Sequence, residues 1–476
     1  MKHPYSASEL CEIFSGEFHH LPEDQKFTEF SIDSRSIKTG DLFFCIRGES
    51  TDGHLYVNQA LENGAHGIIA EIGKLKPEFL ASRPPLILVQ DPNQALLDLS
   101  ADYRNRFTKG RVLGITGSNG KTSSKEIAAG LCRFFAPETH ATAGNFNNYF
   151  GVPLTILAAT LEEAWWVIEM GTNQFGELET LSKVVRPHMG MITNIGESHL
   201  EFLKNTEGVA REKSGLFAGM TPGSIALIPA TLLHHDIVAE YAARYQIRLL
   251  SYGFSHWEMS MTPDYKAELL SVSPSQSEFD FLGQTFTAFQ GNPLLLGNLL
   301  GVLTLLYLNN VALEMLSEAT RSLSWSIKGR MHFQEIHSFL LVDDTYNANP
   351  TSFESVLRSL KQIYPSRRLI LVVGAMAELG PRSPDFHFQL GRQMRTEQVS
   401  HLLAFGDNDS RYYVEGWHEM KGSSEGAFHT ADLETLVSRF HDVVMPNDVV
   451  LVKGSRSAKM ERFVTALQEA GVQENS

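Results

Sequence analysis

The sequence predicts an α/β protein folded as three successive domains, and three observations carry that expectation. A chain of 476 residues is too long for one ordinary hydrophobic core and corresponds to about three domains of roughly 150 residues. Short apolar runs recur along it, separated by helix-patterned or turn-rich stretches, which is the alternation of wound α/β sheets. One such run, residues 112–115, leads directly into a glycine-rich turn and then a helix-patterned segment at 123–135, the layout of a phosphate cradle.

The first domain is expected at residues 1–106, with strands at 42–46, 67–71 and 86–90. A helix at 55–63 stops at Gly64, and another follows Asp91-Pro92. Polar loops at 31–35 and 48–54 flank these strands and read equally well as solvated turns or as ligand loops. The second domain, 107–326, begins at the cradle and continues through apolar runs at 165–170, 189–192, 225–228 and 249–252. A β-hairpin is expected at 279–289 around Leu282-Gly283-Gln284. The apolar stretch 294–308 is about five residues short of the roughly 20 needed to cross a bilayer. It also carries Asn298 and Thr304, so it reads as a buried helix. The third domain, 327–476, restarts the alternation with runs at 339–342, 369–373, 402–405 and 449–452.

Composition narrows the function. The formal charge is −15, with no basic block, so nucleic acid is not the expected ligand. An acidic protein that handles phosphates must concentrate its few cations locally. Three cysteines, Cys11, Cys45 and Cys132, lack metal-ligand spacing and are odd in number, which points to a reducing compartment. The N-terminus lacks the apolar core of a signal peptide. A cytoplasmic monomer without a membrane span is expected.

The chemistry begins at Gly114-Ile115-Thr116-Gly117-Ser118-Asn119-Gly120-Lys121-Thr122. Backbone N–H groups of such a turn can face phosphate oxygens because glycine has no Cβ in the way, and the helix N-terminus adds about half a positive charge. Lys121 can reach the terminal phosphates, and the Thr122 hydroxyl can hold Mg²⁺. A central P-loop ATPase-type domain follows, although the common pattern would place glycine where Ile115 stands. Glu169, at the end of the apolar run 165–168, is placed to hold Mg²⁺ beside the cradle. His199 follows the run at 189–195 as a lone loop histidine, and Lys213 by its surroundings reads as a solvated helix lysine. In the third domain, Asp343-Asp344-Thr345-Tyr346-Asn347-Ala348-Asn349-Pro350 reads either as a binding lip or as a helix cap through Asn349 or Thr351. Lys453-Gly454-Ser455-Arg456-Ser457 reads either as a second anion-binding turn or as a plain connection.

Taken together, these stretches resemble the Mur ligases. The cradle has the family's displaced glycine. Asn145-x-Asn147-Asn148-x-x-Gly151-Val152-Pro153, Glu169-Met170-Gly171-x-Asn173, Asp344-x-Tyr346-Asn347-Ala348-Asn349-Pro350, Glu378-Leu379-Gly380 and the stretch from Lys453 follow in family order. The resemblance is greatest to the member that adds D-alanyl-D-alanine to UDP-N-acetylmuramoyl-tripeptide. It implies a C-terminal Rossmann-like domain closing over ATP, and an acyl phosphate formed on the tripeptide carboxylate and displaced by the dipeptide amine. It further implies that Ser31, Asp33, Ser34, Arg35 and Gly48 hold the UDP-sugar, with Asn147, Asn148, Asn347, Lys453 and Arg456 as further substrate contacts. Thr116, Gly117, Ser118, Asn119, Gly120, Lys121, Thr122, Asn298, Arg330 and Asp344 become the ATP site. Lys121, Lys213 and His199 become catalytic. Thr122, Glu169, His199 and Lys213 become the Mg²⁺ shell, with Lys213 carrying a CO₂-derived carbamate, because an ammonium cannot ligate a cation. A sister ligase adding the third stem-peptide residue, or a P-loop switch that ligates nothing, would share the cradle.

Overall fold

The computed structural model describes residues 2–48, 51–107, 109–273, 275–289, 293–323, 329–407, 409–420 and 425–473. The expected boundary at 326/327, Lys328, Gly291-Asn292 and the Glu49-Ser50 part of the 48–54 loop lie outside them. Three larger sheets organise the chain. The first runs Glu17–His19, Leu86–Val89, Gly67–Glu71, Leu42–Phe44 and Phe30–Ser31, with only the Glu17–His19 edge antiparallel. Its last helix, Pro92–Arg106, opens with Asp91 accepting from the Asn93 N–H and with proline in the first turn, where a missing N–H costs nothing.

The second sheet has nine strands, and its order places the site. The cradle strand Arg111–Thr116 lies between Trp165–Glu169 and Met189–Ile192, parallel to both. Ligands of wound sheets gather at the carboxyl ends of the strands, so the glycine-rich turn, Glu169 and the loop after Ile192 emerge together. Tyr265–Val272, Gln276–Phe281 and Gln284–Phe289 extend the far side, the last two as the expected hairpin. Helix Pro293–Leu308 is packed through Leu299, Leu300, Leu303 and Leu306, all inaccessible to solvent. Among the described residues, no helix is long and apolar enough to cross a membrane.

The third sheet runs His332–Ile336, Phe339–Asp344, Val449–Lys453, Leu369–Gly374, His401–Phe405 and Ala427–Thr430, with an antiparallel first pair. The apolar runs mark inner strands of every sheet, although Tyr265–Val272, an inner strand of the second, is absent from the sequence reading. The edge strands Glu17–His19, Thr139–Ala141, His332–Ile336 and Ala427–Thr430 are absent from the sequence reading. Their residues are polar or only partly buried, and pairing with a neighbour, not local pattern, makes them strands.

Arg104 ties the first unit to the second. Its buried guanidinium donates to the carbonyls of Val185, Phe107 and Arg186 at 2.7, 3.0 and 2.8 Å, and burial lowers its pKa to about 10. Arg104→Met should leave three carbonyls without this donor and lower stability by about 2–4 kcal/mol. The check is equilibrium urea unfolding, with an unchanged midpoint counting against the role.

Candidate active site

Two glycines shape the cradle. Gly117 has φ +145°, and a Cβ there would lie 2.0 Å from Thr193 Oγ1. Gly120, at φ +79°, opens helix Lys121–Phe135, and a Cβ on it would meet Asn298 Oδ1 at 2.8 Å. Asn298 therefore lies against the turn. The loop after Ile192 braces the turn from the other side. Ser118 N–H donates to Asn194 O at 3.1 Å, Asn119 N–H to Asn194 Oδ1 at 2.7 Å, and Gly196 N–H to Ser118 Oγ at 3.0 Å. Thr116 Oγ1 donates to Met170 O at 2.7 Å. Lys121 folds back over the turn, donating to Gly117 O and Ser118 O at 2.8 and 3.1 Å. Burial lowers its pKa to about 8.

Glu169 is inaccessible to solvent. Its Oε1 accepts from Thr122 Oγ1 at 2.9 Å and Asn147 Nδ2 at 2.6 Å, and its N–H donates to Thr142 Oγ1 at 2.9 Å. Among the described residues, its Oε2 has no hydrogen-bond partner. Lys213 corrects the solvated reading: it is 0 % exposed, and among the described residues its Nζ has no partner either. Burial first, and then the charge of Lys121, lower its pKa to about 7, so much of the amine is neutral near neutral pH. Buried polar atoms without partners are uncommon, and the charge of Lys121 acts on Lys213, as that of Glu169, with opposite sign, acts on Lys121. Among the described residues no three His, Cys, Asp or Glu side chains cluster as a metal site.

His199 is not a lone loop residue. Its Nδ1 lies 2.5 Å from Glu378 Oε2 of the third unit, a close contact outside aligned hydrogen-bond geometry, and it holds the Glu378 carboxyl below the usual carboxylate range. Both residues have positive φ, 53° and 60°. Such backbone is sparsely populated for a residue with a Cβ and persists only where its surroundings enforce it. Glu201 N–H also donates to Glu378 O at 3.2 Å.

The other third-unit groups fall in two sets. Arg330 Nη2 donates to Thr122 Oγ1 at 2.8 Å, and its guanidinium stacks 3.9 Å over the Tyr346 ring. Asn349 exchanges hydrogen bonds with Asn119. Behind them, buried Lys453 pairs with Asp344 Oδ2 at 2.5 Å and donates to Asn347 O at 3.0 Å, while Met331 N–H donates to Asp344 Oδ1 at 3.1 Å. The Lys453 charge is thus shared within its own unit, and Arg456 is exposed beside Glu461 at 3.4 Å. Asn347 is exposed, and Asn148 Oδ1 accepts from the Gly151 N–H at 2.8 Å at the start of helix Gly151–Ala158.

The first-unit residues bond within their own unit. Arg35 pairs with Asp33 at 2.7 Å, Ser34 Oγ donates to Gln59 Oε1 at 2.7 Å, Ser31 Oγ donates to Asp33 O at 3.2 Å, and Gly48 N–H donates to Thr51 O at 2.9 Å. Several supporting residues went unread in sequence. Asn194, Thr193 and Thr142 reach the cradle or Glu169 only through strand order. Glu212 is buried beside Lys213 and accepts from Thr172 Oγ1 at 2.8 Å, Gly176 N–H at 2.7 Å and Leu178 N–H at 2.8 Å, pinning the loop after Glu169. An acid next to Lys213 was visible, but not its target.

A P-loop unit completed by groups from a C-terminal α/β unit defines a class of nucleotide-using enzyme. Residues 115–298 match the Mur ligase middle domain, 329–456 the Mur ligase glutamate ligase domain, and 26–104 the Mur ligase family catalytic domain. The chain belongs to the Mur ligase family. It is 31% identical to the UDP-N-acetylmuramoyl-tripeptide--D-alanyl-D-alanine ligase of Escherichia coli, over 98% of each chain. Among solved structures, it resembles MurF from Acinetobacter baumannii with TM-score 0.85 and 28% identity, covering 98% of this chain and 99% of that one. It resembles the Thermotoga maritima MurF ligase in complex with ADP with TM-score 0.79 and 28% identity, covering 94% and 98%.

Gly117→Ala tests the cradle. With a Cβ 2.0 Å from Thr193 Oγ1, the turn must shift, and ATP-analogue affinity should fall at least about tenfold. Calorimetric titration of the folded variant checks this, and wild-type affinity would refute it.

Proposed function

We propose that this chain joins D-alanyl-D-alanine to UDP-N-acetylmuramoyl-tripeptide at the expense of ATP, in the cytoplasm, as a step of peptidoglycan synthesis. The single observation that carries the reading is full-length likeness to the Escherichia coli ligase, 31% over 98% of each chain. The third-unit groups Arg330, Asn349 and Glu378, which meet the cradle, support it. Residues 1–106 would bind the UDP-sugar through Ser31, Asp33, Ser34, Arg35 and Gly48. Residues 107–326 would bind ATP, and residues 327–476 would close the site and receive the dipeptide.

A carboxylate is a poor electrophile because hydroxide leaves badly. Phosphoryl transfer from ATP to the tripeptide carboxylate gives an acyl phosphate and ADP, and the dipeptide amine then attacks the acyl carbon and expels phosphate. Lys121 would swing from its carbonyl contacts to the transferred phosphoryl group, offsetting charge as the leaving oxygen departs. Arg330, beside Thr122, would do so from the opposite unit. Asn298 would contact adenine, Asp344 would hold the Arg330 loop through Met331, and Asn147, Asn148, Asn347, Lys453 and Arg456 would meet the two peptide substrates. Thr122 and Glu169 would hold Mg²⁺, with His199 and a carbamylated Lys213 serving a second ion. Bound there, Mg²⁺ lessens repulsion between phosphate oxygens and the incoming carboxylate.

Two outcomes test this. Lys121→Ala should abolish acyl-phosphate formation in a single-turnover assay while leaving UDP-sugar binding intact, and near-normal phosphate transfer would remove the cradle from the reaction. Lys213→Ala and Lys213→Arg should each lose most activity and remain folded, while the wild type should depend on bicarbonate. Full activity in Lys213→Arg, which cannot form this carbamate, would refute the ligand role. ATP assayed against a matrix of muramoyl peptides and acceptors separates this reading from a sister ligase or a non-ligating switch.

A further inference from the structure

One contact between the second and third units is built differently from the rest. Asn119 Nδ2 donates to Asn349 Oδ1 at 3.2 Å, and Asn349 Nδ2 donates back to Asn119 Oδ1 at 2.7 Å. Neither partner is loosely held. The Asn119 backbone is pinned on both sides, its N–H by Asn194 Oδ1 and its C=O by Thr193 Oγ1. Asn349 is 5 % exposed and caps helix Pro350–Ile363, accepting from Ser352 N–H at 2.8 Å while its own N–H donates to Ser352 Oγ at 3.0 Å. The next residue but one continues the contact: Glu197 N–H donates to Thr351 Oγ1 at 3.4 Å, and Thr351 fills the space beside Gly196 that a Cβ would need.

We propose that Asn119 and Asn349 are positioning residues that set the register in which the third unit docks on the cradle. A primary amide satisfies one donor and one acceptor at once, so two facing amides pair fully in only one alignment. A docking slip of a few ångströms leaves the buried Asn349 amide without its partner, which is the costly state for a buried polar group. An apolar pair would tolerate that slip. The one alignment satisfied here is also the one in which Arg330 reaches Thr122 Oγ1 at 2.8 Å and Glu378 reaches His199 at 2.5 Å. The amide pair thus reports correct docking at the cradle. The inference goes beyond the proposed reaction, because it holds whichever carboxylate and amine are joined.

A double-mutant cycle of Asn349→Asp and Asn119→Ala tests it. Asn349→Asp keeps the oxygen that caps the helix but replaces the donor aimed at Asn119 with a charged acceptor, so the uncharged Asn349→Ser is run beside it as a control. In the wild-type background Asn349→Asp should lower kcat about 3- to 10-fold, the worth of one lost hydrogen bond, with ATP-analogue affinity in the undocked second unit little changed. Spin labels on the second and third units should then show a broadened separation in the presence of a non-hydrolysable ATP analogue. In the Asn119→Ala background the same substitution should change neither kcat nor the label distances further. Effects that simply multiply, or label distances identical to wild type in all variants, would overturn the proposal. Asn349→Ser, which also caps helices well, gives the same cycle if the aspartate variant does not fold. Because label distances are read without tripeptide or dipeptide, they remain informative even if the proposed substrates are wrong.

Discussion

The buried carboxylate of Glu169 is the constraint around which the second unit is arranged. It stands at the end of a core strand with no access to water, and an ionised group there is tolerated only if hydrogen bonds and opposite charges replace its hydration. Thr122 and Asn147 meet that need on one side, and Thr142 Oγ1 holds the Glu169 backbone N–H. Thr122 begins the helix after the cradle, while Thr142 and Asn147 share the connection between strand Thr139–Ala141 and helix Gly151–Ala158. Glu169 thereby fixes the helix after the cradle, the loop around Asn147 and the edge strand near Thr142 relative to one another. Among the described residues its second oxygen remains unpartnered, as does the amine of Lys213. The protein spends stability to keep these groups dry and close to the cradle, which is where phosphate charge would be handled.

The third unit matters because the cradle does not complete itself. Lys121 is occupied by the carbonyls of its own turn, and the groups that face Thr122, Asn119 and His199 all arrive across the interface. The left-handed backbone at both His199 and Glu378 marks that meeting as one enforced by packing on each side. By contrast, the Lys453–Asp344 pair is internal to the third unit. It stiffens the strand ends from which Tyr346 and Asn349 project, so its first role is to support the docking surface.

Much of the site was legible in the chain alone. The glycines of the cradle, Lys121 and Thr122 are contiguous, because a turn that wraps phosphate needs its N–H groups and its cation within one local segment. Glu169 could be placed because an apolar run ending in an acid is a strand delivering a carboxylate to a sheet edge. Asn349 could be named as one of two possible caps, since capping is a matter of a few neighbouring residues. Lys213 was misread from its surroundings for the opposite reason: its helix carries Arg211 and Glu212 beside it, and local polarity suggested water. Glu212 in fact turns inward to the backbone of the loop after Glu169, and Lys213 is buried with it.

The sequence by itself determined the elements whose causes are local: the apolar inner strands, the capped helices, the hairpin at Leu282-Gly283-Gln284 and the phosphate turn. Hydrophobic period, turn chemistry and glycine geometry act over a few residues and can be read in order. Tertiary structure alone decided the strand order that puts Asn194 beside Asn119, the polar edge strands, the burial of Lys213 and the meeting of Asn119 with Asn349, 230 positions apart. Those depend on which surfaces exclude water together, and desolvation is a property of the assembled units.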